Sequence, residues 1–283
     1  MTDTSLQHDP VREKVNFIQQ GEGAPVILIH GLAASLHDWD ELIPDLVARG
    51  YAAYALDILG HGESGKPTSR AYQMDWMFDH LLGWIESLGL SQSPVLIGHS
   101  LGGYLSLEYA RRFPARTRGL VLVDPFYRLD QLPPLMRRSP RGSHLNMFVV
   151  ERTPEWLFRV IIDVTSLSMG HSSGGAHNLP AHVRAQTALD YKRTAPGAYN
   201  LPGTIRDLTP YLSSLEHPTL VVWGERDTTL SPSSFPHLAA AMPNATGKSL
   251  HSGHVPHQSH AAEFNRMVLE FLGTLDLSAD ARR

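Results

Sequence analysis

Five short runs in this chain are apolar without interruption, and a longer stretch with helical spacing separates each from the next. They are Pro25–His30, Tyr51–Asp57, Pro94–Gly98, Leu120–Asp124 and Pro218–Trp223. A strand with one wet face alternates polar and apolar residues; an unbroken apolar run predicts a strand covered on both faces. The stretches 38–49, 72–88, 101–113, 235–242 and 258–272 read as helices. In the last of them Phe264, Met267, Val268 and Phe271 fall on one side. Strand-then-helix alternation needs crossover connections, so the sheet is expected to be mostly parallel, with helices on both faces. Lys14–Ile18 reads as a weaker, antiparallel edge strand.

The rhythm breaks between about 126 and 207. This segment opens on Arg128, Pro133, Pro134, Arg137, Arg138, Pro140 and Arg141, and it lacks a buried-strand pattern. Helical pieces near 154–167 and 181–195 flank the glycine- and serine-rich run Met169–Gly175, which reads as a loop. The expected organisation is an α/β core from 1–125 and 208–283, carrying a helical lid over 126–207. The arginines at its start read as a solvated face.

Composition narrows the chemistry. Lys and Arg number 24 against 28 Asp and Glu, a net charge of −4, so no basic field suited to nucleic acid is present. Cysteine is absent, which excludes disulfides, thiolate-bound zinc, iron–sulfur clusters and a cysteine nucleophile. The first residues are polar and mixed in charge, unlike a signal peptide, and no run of about 18 apolar residues occurs. The expectation is a cytoplasmic protein without a membrane span.

The sharpest local signal is Gly98-His99-Ser100-Leu101-Gly102, directly after an apolar run and directly before a helical stretch. A strand that turns abruptly into a helix lifts the serine hydroxyl above the sheet edge. The turn leaves no room for side chains two positions to either side, hence the glycines. The helix N-terminus also aims N–H groups at any anion that develops there. A serine hydroxyl needs a base. Among 16 histidines, His254 stands out, in a loop (Ser252-Gly253-His254-Val255-Pro256) just before the last helix. Asp227 lies just past the carboxyl end of the Pro218–Trp223 strand. The order Ser100, Asp227, His254 is nucleophile, acid, base.

Taken with His30-Gly31-Leu32 followed by Trp39, with Asp57-Ile58-Leu59-Gly60-His61-Gly62-Glu63-Ser64 and with Gly224-Glu225-Arg226-Asp227, the chain resembles the α/β-hydrolase superfamily over nearly its whole length. The resemblance implies an eight-stranded, mostly parallel sheet with the lid inserted after the sixth strand. It implies Ser100 as nucleophile, His254 as general base and Asp227 as its orienting acid. The backbone N–H groups of Leu32 and Leu101 would form the oxyanion hole. No cofactor and no metal are implied.

Several residues admit a second reading. Asp124 also ends a strand on the catalytic side, where some relatives place the acid; its alternative is a turn residue opening the lid. Histidines 251, 254, 257 and 260 recur every third position, but such a row drifts off one helical face and Pro256 interrupts it, which disfavours a metal site. His99 reads as packed beside the nucleophile turn, His30 as a support for the oxyanion loop, and the His61-Gly62 loop as the site floor. Trp76, Trp84 and Trp156 read as core. The lid offers an apolar wall from Leu145, Met147, Phe148, Trp156, Leu157, Phe158, Ile161 and Ile162. Candidate substrate contacts are His30, Phe126, Phe148, Trp156 and Val255. The expected activity is hydrolysis of a carboxylic ester, or a related acyl bond, of an apolar or aromatic small molecule. A carbon–carbon bond hydrolase of a dienoic ring-cleavage product, a cofactor-free dioxygenase or perhydrolase, and a slow-turnover ligand receptor remain alternatives. A serine at the elbow speaks against haloalkane dehalogenase and epoxide hydrolase, which carry a carboxylate there.

Overall fold

The computed structural model describes residues 13–67, 72–137, 152–170 and 179–280. Its strands are β1 (Phe17–Gln20), β2 (Ala24–Ile29), β3 (Tyr51–Leu56), β4 (Val95–His99), β5 (Gly119–Val123), β6 (Thr219–Gly224) and β7 (Ala245–Leu250). They form one seven-stranded sheet in the order β1-β3-β2-β4-β5-β6-β7. All neighbours are parallel except β1, which pairs antiparallel with β3. Eight strands were expected and seven are found among the described residues, so the long insertion follows the fifth.

The longer helices are α1 (Ile43–Ala48), α2 (Met74–Ser87), α3 (Leu101–Arg112), α4 (Glu155–Gly170), α5 (Ala181–Arg193), α6 (Ser234–Ala241) and α7 (Ala261–Asp280). Successive strand residues alternate between two buried layers. Ile27, Ile29, Leu96, Leu120 and Leu122 pack on the side of α2, α3 and α6. Val26, Leu28, Ile97, Val121 and Val123 pack on the side of α1 and α7. The unbroken apolar runs are thus the two-faced strands that their composition predicts. β7 carries no such pattern: its residues Ala-Thr-Gly-Lys-Ser-Leu are mostly exposed, as an edge strand allows.

Between β5 and β6 the described residues are helical or irregular. The two ends of this insertion belong to the core: Phe126, Tyr127, Ala198 and Leu201 are buried in the same layer as α2 and α3. Ala195 donates its N–H to the Gly60 carbonyl at 2.7 Å, and Leu208 to that of Tyr127 at 3.0 Å. Helix α4 packs on α5, where Arg184 Nε donates to Asp163 Oδ1 at 2.7 Å, and α5 is tied to the core through Asp190, which accepts the Ser35 hydroxyl at 2.9 Å. Leu145, Met147 and Phe148 lie outside the described residues, as does the side chain of Ile162.

Candidate active site

The end of β4 and the start of α3 meet at Ser100, whose backbone is held at φ 50° and ψ −109°. For a residue with a Cβ this is a strained conformation, the kind that persists only where the surroundings enforce it. Three backbone bonds enforce it: Ser100 N–H to Val123 O (2.9 Å), and Tyr104 and Phe126 N–H to Ser100 O (3.2 and 3.0 Å). The flanking glycines are steric necessities. A Cβ on Gly102 would overlap the carbonyl oxygen of Ile29, and one on Gly98 the carbonyl oxygen of Gly102. Gly102→Ala is therefore expected to lower unfolding stability by about 3 kcal/mol or more, read as a fall in the urea midpoint. An unchanged midpoint would show that the turn relaxes freely.

The loop after β2 lies over this elbow. A Cβ on Gly31 would stand 3.4 Å from Ser100 Cβ. The next residues are Leu32 and then Ala33, itself at φ 60°. Among the described residues, the backbone N–H groups of Leu32 and Leu101 have no acceptor, so both are available to a developing anion beside the serine. His30 braces the loop from beneath. Its Nε2 accepts the Ile58 N–H at 3.0 Å, which leaves Nδ1 to donate to the Gly31 carbonyl at 2.7 Å. His61 packs 5.3 Å from the His30 ring and is fully buried. That burial drives its pKa down to about 3, so it is neutral. Asp57 ties the loops together by accepting from Leu36 N (2.7 Å), Glu63 N (2.8 Å) and Asn16 Nδ2 (2.8 Å).

Asp227 and His254 meet from the other side. Their loops follow β6 and β7, which pair along their length. Gly224, ending β6, lies so close to the Gly253 carbonyl that a side chain there would clash. His254 Nδ1 stands 2.7 Å from Asp227 Oδ2. The other carboxylate oxygen accepts the N–H groups of Thr229 (2.7 Å) and Leu230 (3.0 Å). Burial pushes the Asp227 pKa up, but the His254 charge and these three hydrogen bonds more than offset it and keep the carboxyl below its ordinary range. An ionised Asp227 fixes the tautomer of His254: Nδ1 donates, and Nε2 keeps its lone pair. The His254 ring lies 4.9 Å from that of His99, the neighbour of Ser100. The Ser100 hydroxyl itself makes no hydrogen bond among the described residues, a common state for such sites without substrate.

Asp124 sits beside this pair. It ends β5 at φ 40° and is wholly buried. Its Oδ1 accepts from Gly224 N at 2.9 Å, while Oδ2 has no partner among the described residues. Ligand atoms of Asp124, Asp227 and His254 lie within 4.8 Å of one another. Burial, and then the charge of Asp227, push the Asp124 pKa well above its ordinary value, toward the neutral form.

The remaining candidates separate. The histidine row disperses: His251 pairs with exposed Glu225 (3.0 Å), His254 with Asp227, His257 is buried against Trp39, and His260 Nδ1 faces Ser259 Oγ at 3.0 Å. Phe126 is buried in the core and Val255 is half-buried at the turn before Pro256. Trp84 is core and Trp76 packs against it, but Trp156 is 66% exposed. It stands at the outer edge of α4 beside the exposed Val160 and Ile161, so the amphipathic spacing of that helix reflects its packing on α5 and not burial in the core. Trp156 lines an open cavity of about 650 Å³ between α4 and α5, and none of Ser100, Asp227 or His254 reaches it. Phe148 falls outside the described residues.

A mostly parallel sheet crowned by a strained serine elbow after β4, with an Asp–His pair delivered from the ends of β6 and β7, defines an α/β hydrolase. Residues 24–261 match the family described as the alpha/beta hydrolase fold, and the chain belongs to it. Among curated relatives, it is similar to 2-hydroxy-6-oxononadienedioate/2-hydroxy-6-oxononatrienedioate hydrolase 2 of Pseudomonas putida, at 27% identity over 92% of this chain and 91% of that one. Lipase 1 of Psychrobacter immobilis is 25% identical over 86% of this chain and 76% of its own length. Among solved structures, a thermophilic esterase from Thermogutta terrifontis superposes with a TM-score of 0.77 at 24% identity, covering 93% of this chain and 94% of that one. Proteins named as an esterase, a lipase and a dienedioate hydrolase are thus similar to this chain, and no described helix is long and apolar enough to cross a membrane.

Proposed function

We propose that this protein is a serine hydrolase that cleaves a carboxylic ester, or a closely related acyl bond, of an apolar or aromatic small molecule. The observation that carries the reading is the combination of Ser100 on a backbone strained to φ 50° with a His254–Asp227 hydrogen bond of 2.7 Å. His254 Nε2 accepts the Ser100 proton as Oγ attacks the carbonyl carbon. The carbonyl electron pair moves onto oxygen, beside the N–H groups of Leu32 and Leu101. A hydrogen bond of this kind is worth about 3–4 kcal/mol in the transition state. The imidazolium, stabilised by Asp227, then protonates the departing alkoxide and leaves an acyl-enzyme on Ser100. Water, deprotonated by the same ring, releases the acid. No step calls for a cofactor. Helices α4 and α5 form the lid of this reading.

The test is an acyl-chain-length series of chromogenic esters and thioesters, with Ser100→Ala as control. Turnover peaking at one chain length and lost in the variant supports the reading. A protein that neither turns over any member nor takes up a phosphonate serine probe would instead be a ligand receptor on this fold. A second reading is favoured by the Pseudomonas putida relative, whose name is that of a dienedioate hydrolase and which matches over 92% of this chain. It is a carbon–carbon bond hydrolase acting on a dienoic ring-cleavage product. Rapid consumption of such a dienoate, with esters turned over slowly, would select it.

A further inference from the structure

Behind the nucleophile turn lies a second cluster that the proposed reaction does not use. Asp38, in the turn Leu36–Trp39, is 7% exposed; His99, the last residue of β4, is 4%; His257, in the short helix Pro256–Ser259, is 2%. His99 bridges two acceptors. Its Nε2 stands 2.9 Å from the carbonyl oxygen of His254, which can only accept, so Nε2 carries a proton. Its Nδ1 stands 3.3 Å from Asp38 Oδ2. That carboxylate is already fully an acceptor: Oδ1 receives Gln258 Nε2 at 3.1 Å and Oδ2 the Gly31 N–H at 3.4 Å.

A neutral His99 would therefore turn a bare lone pair onto a carboxylate oxygen in a buried site, an arrangement that repels. Burial and the neighbouring histidines pull the ring's pKa below its ordinary value, and the hydrogen bond and charge of Asp38 oppose them; the acceptors facing both ring nitrogens decide for the second proton. Burial would also raise Asp38, yet its contacts with His257 and His99 hold it far below the carboxylate range. A neutral ring and an ionised carboxylate cannot share this geometry without a proton between them. The other titratable neighbours do not supply it. His257 Nε2 is 3.9 Å from Asp38 Oδ2, beyond hydrogen-bond range, and the His257 and His254 rings lie 4.5 and 4.9 Å from that of His99. We propose that His99 keeps both ring protons in a buried ion pair with Asp38 and, through Nε2–H, holds the backbone carbonyl of His254, making Asp38 and His99 positioning residues for the base.

The base is then held at two points. Asp227 fixes its ring, and His99 fixes its main chain. Because His99 adjoins Ser100 in sequence, the second point ties the base loop directly to the nucleophile turn. Small errors in that distance are costly, on the order of 100-fold in rate for about 1 Å.

The inference rests on His254 acting as the base of Ser100, and the experiment separates the two. His99→Phe keeps a planar ring but deletes both donors; His99→Gln restores one amide donor toward the His254 carbonyl. His99→Phe is expected to lower kcat about 30- to 100-fold, with KM within about twofold, and His99→Gln to recover most of that loss. In ring-nitrogen NMR at neutral pH, both His99 nitrogens are expected to be protonated, and Asp38→Asn to release one proton. A His99→Phe enzyme with unchanged kcat would overturn the proposal. Equal losses in His99→Phe and His99→Gln would too, since they indicate packing alone. An unprotonated His99 nitrogen, or a metal ion bound stoichiometrically at Asp38, His99 and His257, would do the same. Should His99→Phe fail to fold, the spectrum of the unaltered protein decides. Ser100→Ala and His254→Ala run alongside: turnover surviving in both defeats the serine-hydrolase reading itself, whereas loss in both with His99→Phe intact defeats only the positioning role.

Discussion

Ser100→Ala is expected to abolish turnover, lowering kcat by about five to six orders of magnitude, and to abolish labelling by a phosphonate probe. No other hydroxyl or thiol stands at the elbow, because positions 98, 99, 101, 102 and 103 are Gly, His, Leu, Gly and Gly. Rate above background would persist only through the N–H groups and binding. The stability of the variant carries a second message. Alanine keeps a Cβ and so keeps the strain of φ 50° and ψ −109°, whereas glycine does not. Strain of this kind costs about 1–3 kcal/mol, and glycine gives back roughly 0.5–1 kcal/mol through the unfolded chain. Ser100→Gly is therefore expected to be more stable than Ser100→Ala by about 1 kcal/mol, measured by denaturant titration. Equal stabilities would show that the turn is not strained. The gain would mark the serine as a residue kept for chemistry at the expense of stability.

Much of this architecture is legible in the sequence because it depends on local pattern. Pro25–Ile29 and Leu120–Val123 are apolar without interruption since packed layers cover both faces of β2 and β5. The elbow is legible because its two glycines answer to backbone overlaps within the turn and with the adjoining β2. What escapes the sequence depends on contacts between distant segments. β7 is a polar edge strand whose identity comes from pairing with β6. Trp156 looks like core by its type and spacing, yet α4 packs on α5 and leaves it at the surface. Asp38 has no motif: its significance arises from His99, 61 positions away, and from Gln258, 220 positions away. The triple spacing of the C-terminal histidines suggests one cluster, but a loop, a turn at Pro256 and a helix start send them to different partners. Sequence order alone admits either Asp124 or Asp227; the 2.7 Å contact of His254 Nδ1 with Asp227 Oδ2 favours Asp227.

That ranking yields the second large effect. Asp227→Asn is expected to lower kcat by about four orders of magnitude, the size seen for the same change in a serine protease triad. Asparagine cannot stabilise the His254 cation, and its amide can favour the tautomer with no lone pair on Nε2. Asp124→Asn is expected to leave kcat within about threefold, because the raised pKa of Asp124 favours its neutral form and its Oδ1 acceptor role toward Gly224 survives in the amide. The two changes also differ in stability against pH. Asp124 has its pKa raised in the folded state, by burial first and the Asp227 charge second. Above the unfolded carboxylate pKa the folded protein thus binds more protons than the unfolded one, and this residue makes stability fall as pH rises. Asp124→Asn removes that penalty. The variant is expected to match the parent in Tm near pH 3 and to exceed it at pH 7. Asp227 has the opposite shift, its pKa lowered in spite of burial; its contribution is present at neutral pH and lost on acidification, so Asp227→Asn destabilises at pH 7. Thermal melts of both variants across pH 3 to 8, paired with kcat, test the assignment. If Asp124→Asn proved the inactive variant and Asp227→Asn the active one, the acid of the triad would sit at the end of β5.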